Sequence, residues 1–192
     1  MKKKDSISDS ILEAAETLFQ KWGIRKTTMD DIAQEAGKSK SLIYYYFKNK
    51  EAVRKAVAIA QAERITRIVR KEVEKKKTAK EKLLAYVYTT FCETRRAVTL
   101  YEIARGEMKT SSWLIRIREV MGRYYAREAK IVEGILRFGN KNKEFRSIGG
   151  HDISDTAQAI VTVMRSLTIS LFIESEDKKL IDQIIMLLSK GL

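Results

Sequence analysis

The sequence predicts an all-α protein, and three observations carry that reading. The 192-residue chain contains no proline, where average usage of roughly 5% would give about ten. It has only nine glycines and is rich in Ala, Leu, Ile, Lys, Arg and Glu, the better helix formers. Apolar residues recur at three- and four-residue spacing along most of its length, and no stretch alternates in the manner of a strand. With 44% hydrophobic and 33% charged residues, the chain buries a core and is not predominantly disordered.

The elements follow in order. Residues 6–22 carry Ile11, Leu12, Ala15, Leu18, Phe19 and Trp22 on one face, and Gly23 is placed to stop that helix. A short second helix begins after Thr28, whose pairing with Asp31 three residues on makes an acidic capping box. Gly37 ends it. Ser39 caps a third helix over residues 40–47. Asn49 opens a fourth, which reaches about residue 74 and is on the order of 37 Å long. A lysine-rich break lies near residues 75–80. Further helices are expected over 80–93, 97–108, 112–138, 152–173 and 177–189, with a polar, glycine-bearing loop around 139–152. That makes about nine helices. Two domains are expected: residues 1–50, with a helix-turn-helix built on the turn at Gly37, and residues 51–192.

Lys and Arg number 38 against 25 Asp and Glu, a net charge of +13. Such a balance suits a polyanionic partner. The excess lies in residues 1–150; residues 151–192 hold four basic and six acidic residues and are rich in Ile, Leu, Val and Met. The three lysines at 2–4 suit an arm lying along DNA.

Several function classes drop out. One cysteine, Cys92, excludes an internal disulfide and a cysteine-cluster metal site. Beside Phe91 it reads as a buried small hydrophobe. One histidine, His151, has no partner for a metal site or a catalytic dyad. No Ser-His-Asp set and no phosphate-cradling glycine loop is present, so no enzyme, metal or cofactor is expected. No apolar run approaches the ~18 residues of a membrane span. The polar stretch after the basic start is unlike a secretory signal, so the expected location is the cytoplasm.

The specific signal is the string GIRKTTMDDIAQEAGKSKSLIYYYFKNKE over residues 23–51. It resembles the tetracycline-repressor (TetR) family of bacterial transcription regulators. The matching positions are Gly23, Thr28, Ile32-Ala33, Ala36-Gly37, Ser39, Ile43-Tyr44, Tyr46-Phe47 and Lys50-Glu51. Two positions depart: Lys38 stands where the family has an apolar residue, and Leu42 falls in the family's Gly/Thr-rich slot. The resemblance implies an N-terminal DNA-binding domain, a ligand-binding and dimerisation domain, and phosphate contacts from Tyr44 and Lys50.

The residue chemistry points the same way. Lys40, Ser41 and Tyr44 fall on one face of the third helix, where Lys donates to guanine O6/N7 and Ser donates or accepts. Thr28, Ser39, Tyr45 and Lys48 flank that face as phosphate contacts. Lys50 sits in the first turn of a helix, against the macrodipole, and a phosphate there relieves the conflict. Tyr46 and Phe47 read as core.

Some 140 residues follow the motif, more than dimerisation alone needs. Tyr88, Phe91, Trp113, Met121, Tyr125 and Met164 are the candidate lining of an effector pocket, in apolar surroundings that suit a lipophilic molecule. Glu93, Glu102 and Glu107 would favour a cationic effector, Arg95, Arg96 and Arg105 an anionic one; both stay open. Ile160, Met164, Leu167 and Leu171 form one apolar stripe, and Leu180, Ile184, Leu187 and Leu188 another. Paired across a two-fold axis they make a four-helix homodimer interface. The expectation is a dimeric, ligand-responsive repressor of a near-palindromic DNA operator. The alternative is a constitutive architectural DNA-binding protein without an effector.

Overall fold

A computed structural model describes the backbone of residues 2–97, 112–145 and 152–174, and the side chains of residues 6–97, 122–145 and 152–166. Among them are seven α-helices and no strand: α1 (Lys2–Trp22), α2 (Met29–Glu35), α3 (Lys40–Tyr46), α4 (Lys50–Glu74), α5 (Ala79–Arg96), α6 (Ser112–Lys141) and α7 (Ile153–Glu174). The expected count of about nine is thus not matched among the described residues. The other two expected helices, 97–108 and 177–189, fall outside them, except that Ala97 is described and is not helical. The chain divides into two compact units: Met1–Ala62 with Ala97–Glu107, and Glu63–Arg96 with Met108–Leu192. Among the described residues no helix is long and apolar enough to cross a membrane, and no group of three or more acidic, His or Cys side chains could hold a metal.

The first unit is organised around α1. Ile11, Ala15, Leu18 and Phe19 present one apolar stripe, and Ile32, Ile43, Val53 and Val57 from α2, α3 and α4 close over it. Full burial of each of the larger side chains, Ala15 apart, stabilises by roughly 1.5–3 kcal/mol. Helix α1 starts at Lys2, four residues before the expected start, so residues 2–4 form its first turn and not an extended arm. It ends where Gly23 adopts φ 80°, the left-handed region that favours glycine. Gly37 does the same after α2, at φ 62°; its N–H bonds Gln34 O and the Lys38 N–H returns to Ala33 O at 2.9 Å, a Schellman closure. The expected caps are in place at three helix starts. Thr28 and Asp31 form a reciprocal capping box, Ser39 Oγ accepts from Leu42 N, and Asn49 Oδ1 accepts from Ala52 N at 2.9 Å.

The second unit packs α5, α6 and α7 on one another, and the C-terminal part of α4 adds buried Ile65, Val69 and Val73. Leu83, Tyr86, Val87 and Phe91 of α5 are buried, as are Val132, Ile135 and Leu136 of α6 and Ala157, Val161 and Met164 of α7. The turn before α5 is held twice: Thr78 and Glu81 cap each other, and Glu144 Oε2 accepts from Ala79 N at 2.7 Å. Burial of Phe145 against α6 requires Gly139, where any Cβ would run into the Phe145 ring and Ala79. Cys92 is half-buried, which corrects the expectation of full burial: it lies one position past the Phe91 side that faces the core. His151 lies outside the described residues.

Candidate functional site

The helix-turn-helix is built from α2, the Gly37 turn and α3. Its scaffold face is apolar, with Ile32, Ala33 and Ile43 buried and Tyr46 and Phe47 packed on the same core. The opposite face is open. Ser39, Lys40, Ser41 and Lys48 are exposed, Tyr44 is 44% and Tyr45 is 70% exposed, and the Tyr45 ring stands edge-on to Tyr46. The six form a contiguous surface of hydroxyls, ammonium groups and aromatic edges, on a helix held rigid by its cap and core. Such a surface matches the donors and acceptors of a DNA groove and its phosphates. The departing residues Lys38 and Leu42 are both half-buried at its edge.

Most members of the expected set have partners inside the protein; Ser39 and Ser41 share a hydroxyl–hydroxyl hydrogen bond at 3.1 Å, and three others are tied more firmly. Lys40 Nζ lies 2.8 Å from Asp30 Oδ1, an exposed ion pair that ties α3 back to α2 and raises the lysine's affinity for its proton through that hydrogen bond. DNA must compete with Asp30 for this ammonium. Thr28 donates both its N–H and its hydroxyl to Asp31 Oδ2, at 2.8 and 2.7 Å, and the same bonds hold the Asp31 carboxyl below its ordinary range. The hydroxyl hydrogen that a phosphate contact would need is therefore committed to the cap.

Lys50 departs most from expectation. Its ammonium donates to the carbonyls of Ile24, Arg25 and Thr27 at 3.0, 3.2 and 2.8 Å, and the side chain is half-buried. An ammonium has three donors, and all three are used. The cation at this helix N-terminus is thus met by the carbonyls of the turn after α1. Lys50 clamps that turn to α4, beside buried Thr27, whose Oγ1 donates to Gly23 O.

In the second unit, the expected effector lining divides. Phe91 and Met164 are buried, and Tyr125 is half-buried with the Arg165 guanidinium 4.6 Å above its ring. Tyr88 is 49% exposed and is not part of the interior. Trp113 and Met121 lie outside the described side chains. Met164, expected also at the dimer interface, faces its own unit's core; the exposed residues of that stretch of α7 include Ala159, Thr162, Val163 and Ser166. Ile160 is half-buried. Leu167, Leu171, Leu180, Ile184, Leu187 and Leu188 lie outside the described side chains.

A polar cluster that sequence reasoning misses lies within this unit. Glu128 is 4% exposed and accepts from Tyr124 Oη at 3.1 Å. Burial pushes its carboxyl up to about 7, against the opposing pull of the Tyr124 hydroxyl. Tyr86 is fully buried, Thr90 nearly so, and neither hydroxyl has a hydrogen-bond partner. Burial, then the Glu128 charge, raises the Tyr86 and Tyr124 phenols; burial raises that of Tyr125 to about 12, with Arg165 opposing. The spacing is a usable signal: Tyr86 and Thr90, and Tyr124 and Glu128, are each four residues apart and so share a helix face.

Residues 11–57 match the family of bacterial regulatory proteins described as the tetR family. The fatty acid metabolism regulator protein of Bacillus subtilis (strain 168) is 27% identical over 162 residues, which cover 83% of this chain and 80% of that protein. A transcriptional regulator from Cytophaga hutchinsonii ATCC 33406 shares the fold with a TM-score of 0.76 at 23% identity, over 94% of this chain and 95% of that one. The transcriptional regulator FadR from Bacillus subtilis, solved in complex with stearoyl-CoA, has a TM-score of 0.72 at 22% identity, over 95% and 98% of the two chains. The matched segment contains α2, the Gly37 turn and α3 with their open polar face, so the likeness to the tetR family of bacterial regulatory proteins falls on the DNA-binding motif.

Proposed function

We propose that the chain is a homodimeric, ligand-responsive repressor that binds a near-palindromic operator through α3. The observation that carries this reading is the open face of Lys40, Ser41, Tyr44, Tyr45 and Lys48 on a short helix whose other side is locked into the core. Lys40 and Ser41 read base edges; Ser39, Tyr44, Tyr45 and Lys48 meet phosphates. Lys50 and Thr28 hold the geometry of the motif. Residues 1–50 do this work and residues 51–192 bind effector and partner, in the cytoplasm. Dimerisation uses α7 and the residues that follow it, through the face opposite Met164.

The effector is lipophilic. Support comes from the buried aromatic interior of the second unit and from the B. subtilis neighbour solved with stearoyl-CoA. Helix α4 runs unbroken from Lys50, in the DNA-binding unit, to Glu74 in the other. A ligand that displaces its C-terminal half changes the spacing of the two recognition helices in the dimer. A preference of a few kcal/mol for the non-binding spacing suffices to empty the operator. The test is release of operator DNA, followed by fluorescence anisotropy, across a panel of lipophilic compounds. At least one must release it, and Tyr125→Ala must blunt that release. If no compound does so, the protein is a constitutive DNA binder.

A further inference from the structure

We infer that Glu128, Tyr86 and Thr90 form the recognition site for the polar head of the effector, and that this head is a protonated amine. The inference rests on the ligand-responsive reading above and narrows it to lipophilic amines.

Tyr86 and Thr90 lie one turn apart on α5, Tyr124 and Glu128 one turn apart on α6, and the two helices pack on each other. All four side chains are less than 10% exposed. The Tyr86 and Thr90 hydroxyls have no hydrogen-bond partner. An interior polar atom left unpaired costs folding free energy, and most proteins avoid it. Two such atoms, that of Tyr86 within reach of the Glu128 charge and that of Thr90 one turn further along α5, point to a site kept for a partner.

The chemistry of that partner follows from the charges around Glu128. From α5 it faces the Tyr86 phenol; on its own helix, the phenols of Tyr124 and Tyr125; from α7, Arg165 bears on the cluster through the Tyr125 ring. Among the described residues the Tyr124 hydroxyl is its hydrogen-bond donor, and no cation pairs with it. Buried carboxylates are ordinarily paired or neutralised. An ammonium offers what the cluster lacks: a positive charge for Glu128 and N–H donors for its free oxygen and for the Tyr86 and Thr90 oxygens. Tyrosine faces accept cations, as Tyr125 already does from Arg165 at 4.6 Å. An acyl thioester or carboxylate head has no N–H donor and no positive charge, and leaves Glu128 uncompensated.

The proton balance supplies a signature. Burial holds the Glu128 carboxyl at about 7, so a fraction is protonated at neutral pH. An incoming ammonium favours the carboxylate, and the proton leaves to solvent. Amine affinity therefore rises as pH goes from about 6 to 8, whereas a neutral ligand shows no such trend.

The test uses the full chain with decylamine, decanol and decanoic acid, each below its micellar threshold, by titration calorimetry in two buffers of different ionisation enthalpy. The expected result is at least about tenfold tighter binding of decylamine than of the other two near neutral pH, with net proton release. Glu128→Gln abolishes the preference and the proton release, and Tyr86→Phe weakens decylamine several-fold while helicity by circular dichroism is retained. Equal or tighter binding of decanol or decanoic acid overturns the inference, as does an amine preference that survives Glu128→Gln, or no binding of any of the three. Operator release read in parallel separates the two levels. Glu128-dependent amine binding without release sinks the repressor reading and leaves the site. Release by decanoic acid, indifferent to Glu128→Gln, sinks the amine site and leaves the repressor.

Discussion

Several interior polar groups of the two units are treated differently. In the first, Thr27 Oγ1 donates to Gly23 O, Gln61 Nε2 donates to Glu16 Oε1 at 3.0 Å, and Lys50 spends all three donors on the turn after α1. In the second, Tyr86 and Thr90 keep unpartnered hydroxyls and Glu128 has one described bond. A presentation scaffold gains from being self-satisfied, because α3 must keep its shape whether or not DNA is bound. If the second unit senses a ligand as proposed, it gains from groups that only that ligand completes, because differential binding is what shifts a population.

Removing the clamp should erase the contrast most severely. Lys50→Met keeps the stem but leaves three carbonyls without their charged donor. Hydrogen bonds to charged groups contribute about 1.5–3 kcal/mol each, not additively, so a loss of about 3 kcal/mol or more is expected in urea unfolding. A loss under about 1 kcal/mol would return Lys50 to the role of a phosphate contact.

Glu128→Gln is expected to act in the opposite direction. The folded carboxyl titrates at about 7 and the unfolded one near 4.5. Between those values the folded state holds the extra proton, so wild-type stability is full below pH 4.5 and falls as pH rises toward 7. The gap corresponds to roughly 3 kcal/mol. Glu128→Gln should flatten that part of the profile and leave the variant more stable than wild type at about pH 8. A wild-type profile that is level from about pH 5 to 8 would mean that the carboxyl is not buried as described.

A smaller effect separates two helix ends of the same design. After α2 the left-handed position is Gly37; after α6 it is Lys143, at φ 56°, with Glu144 N bonded back to Gly139 O. Space around Gly37 is open, so Gly37→Ala meets only the backbone cost of roughly 1–2 kcal/mol. Lys143→Gly relieves the equivalent strain and should stabilise by up to about 1 kcal/mol. Thermal melts of both variants check the pair; shifts of the same sign would refute it.

The local grammar of the first unit is legible because it is written within four residues. Thr28 with Asp31, Ser39, Asn49 and the two glycines each name their own cap or stop. The role of Lys50 is not legible, because its partners lie 23 to 26 residues back, in a turn whose carbonyl directions no local pattern reveals. Tyr88 and Tyr86 are told apart only by geometry. Two residues turn a helix by about 200°, so one tyrosine faces the core and the other, the one expected in the pocket, faces away. The apolar pattern assigns Met164 to two surfaces, and a side chain 4% exposed in its own unit serves the inner one. Glu128 is lost among the many charges of α6, since burial of a single carboxylate depends on what α5 brings against it.

Everything proposed for the first unit depends on the open face of α3 reading DNA as one half of a symmetric pair. Selection of bound duplexes from a random pool by the full chain, repeated with Lys40→Ala, measures this directly. An enriched near-palindrome is expected, with half-sites about 34–36 Å apart or a multiple of that distance. Lys40→Ala is expected to relax one base position in each half-site, by about tenfold in preference. Enrichment of no sequence, or of the same sequence with undiminished preference for both proteins, would contradict that reading.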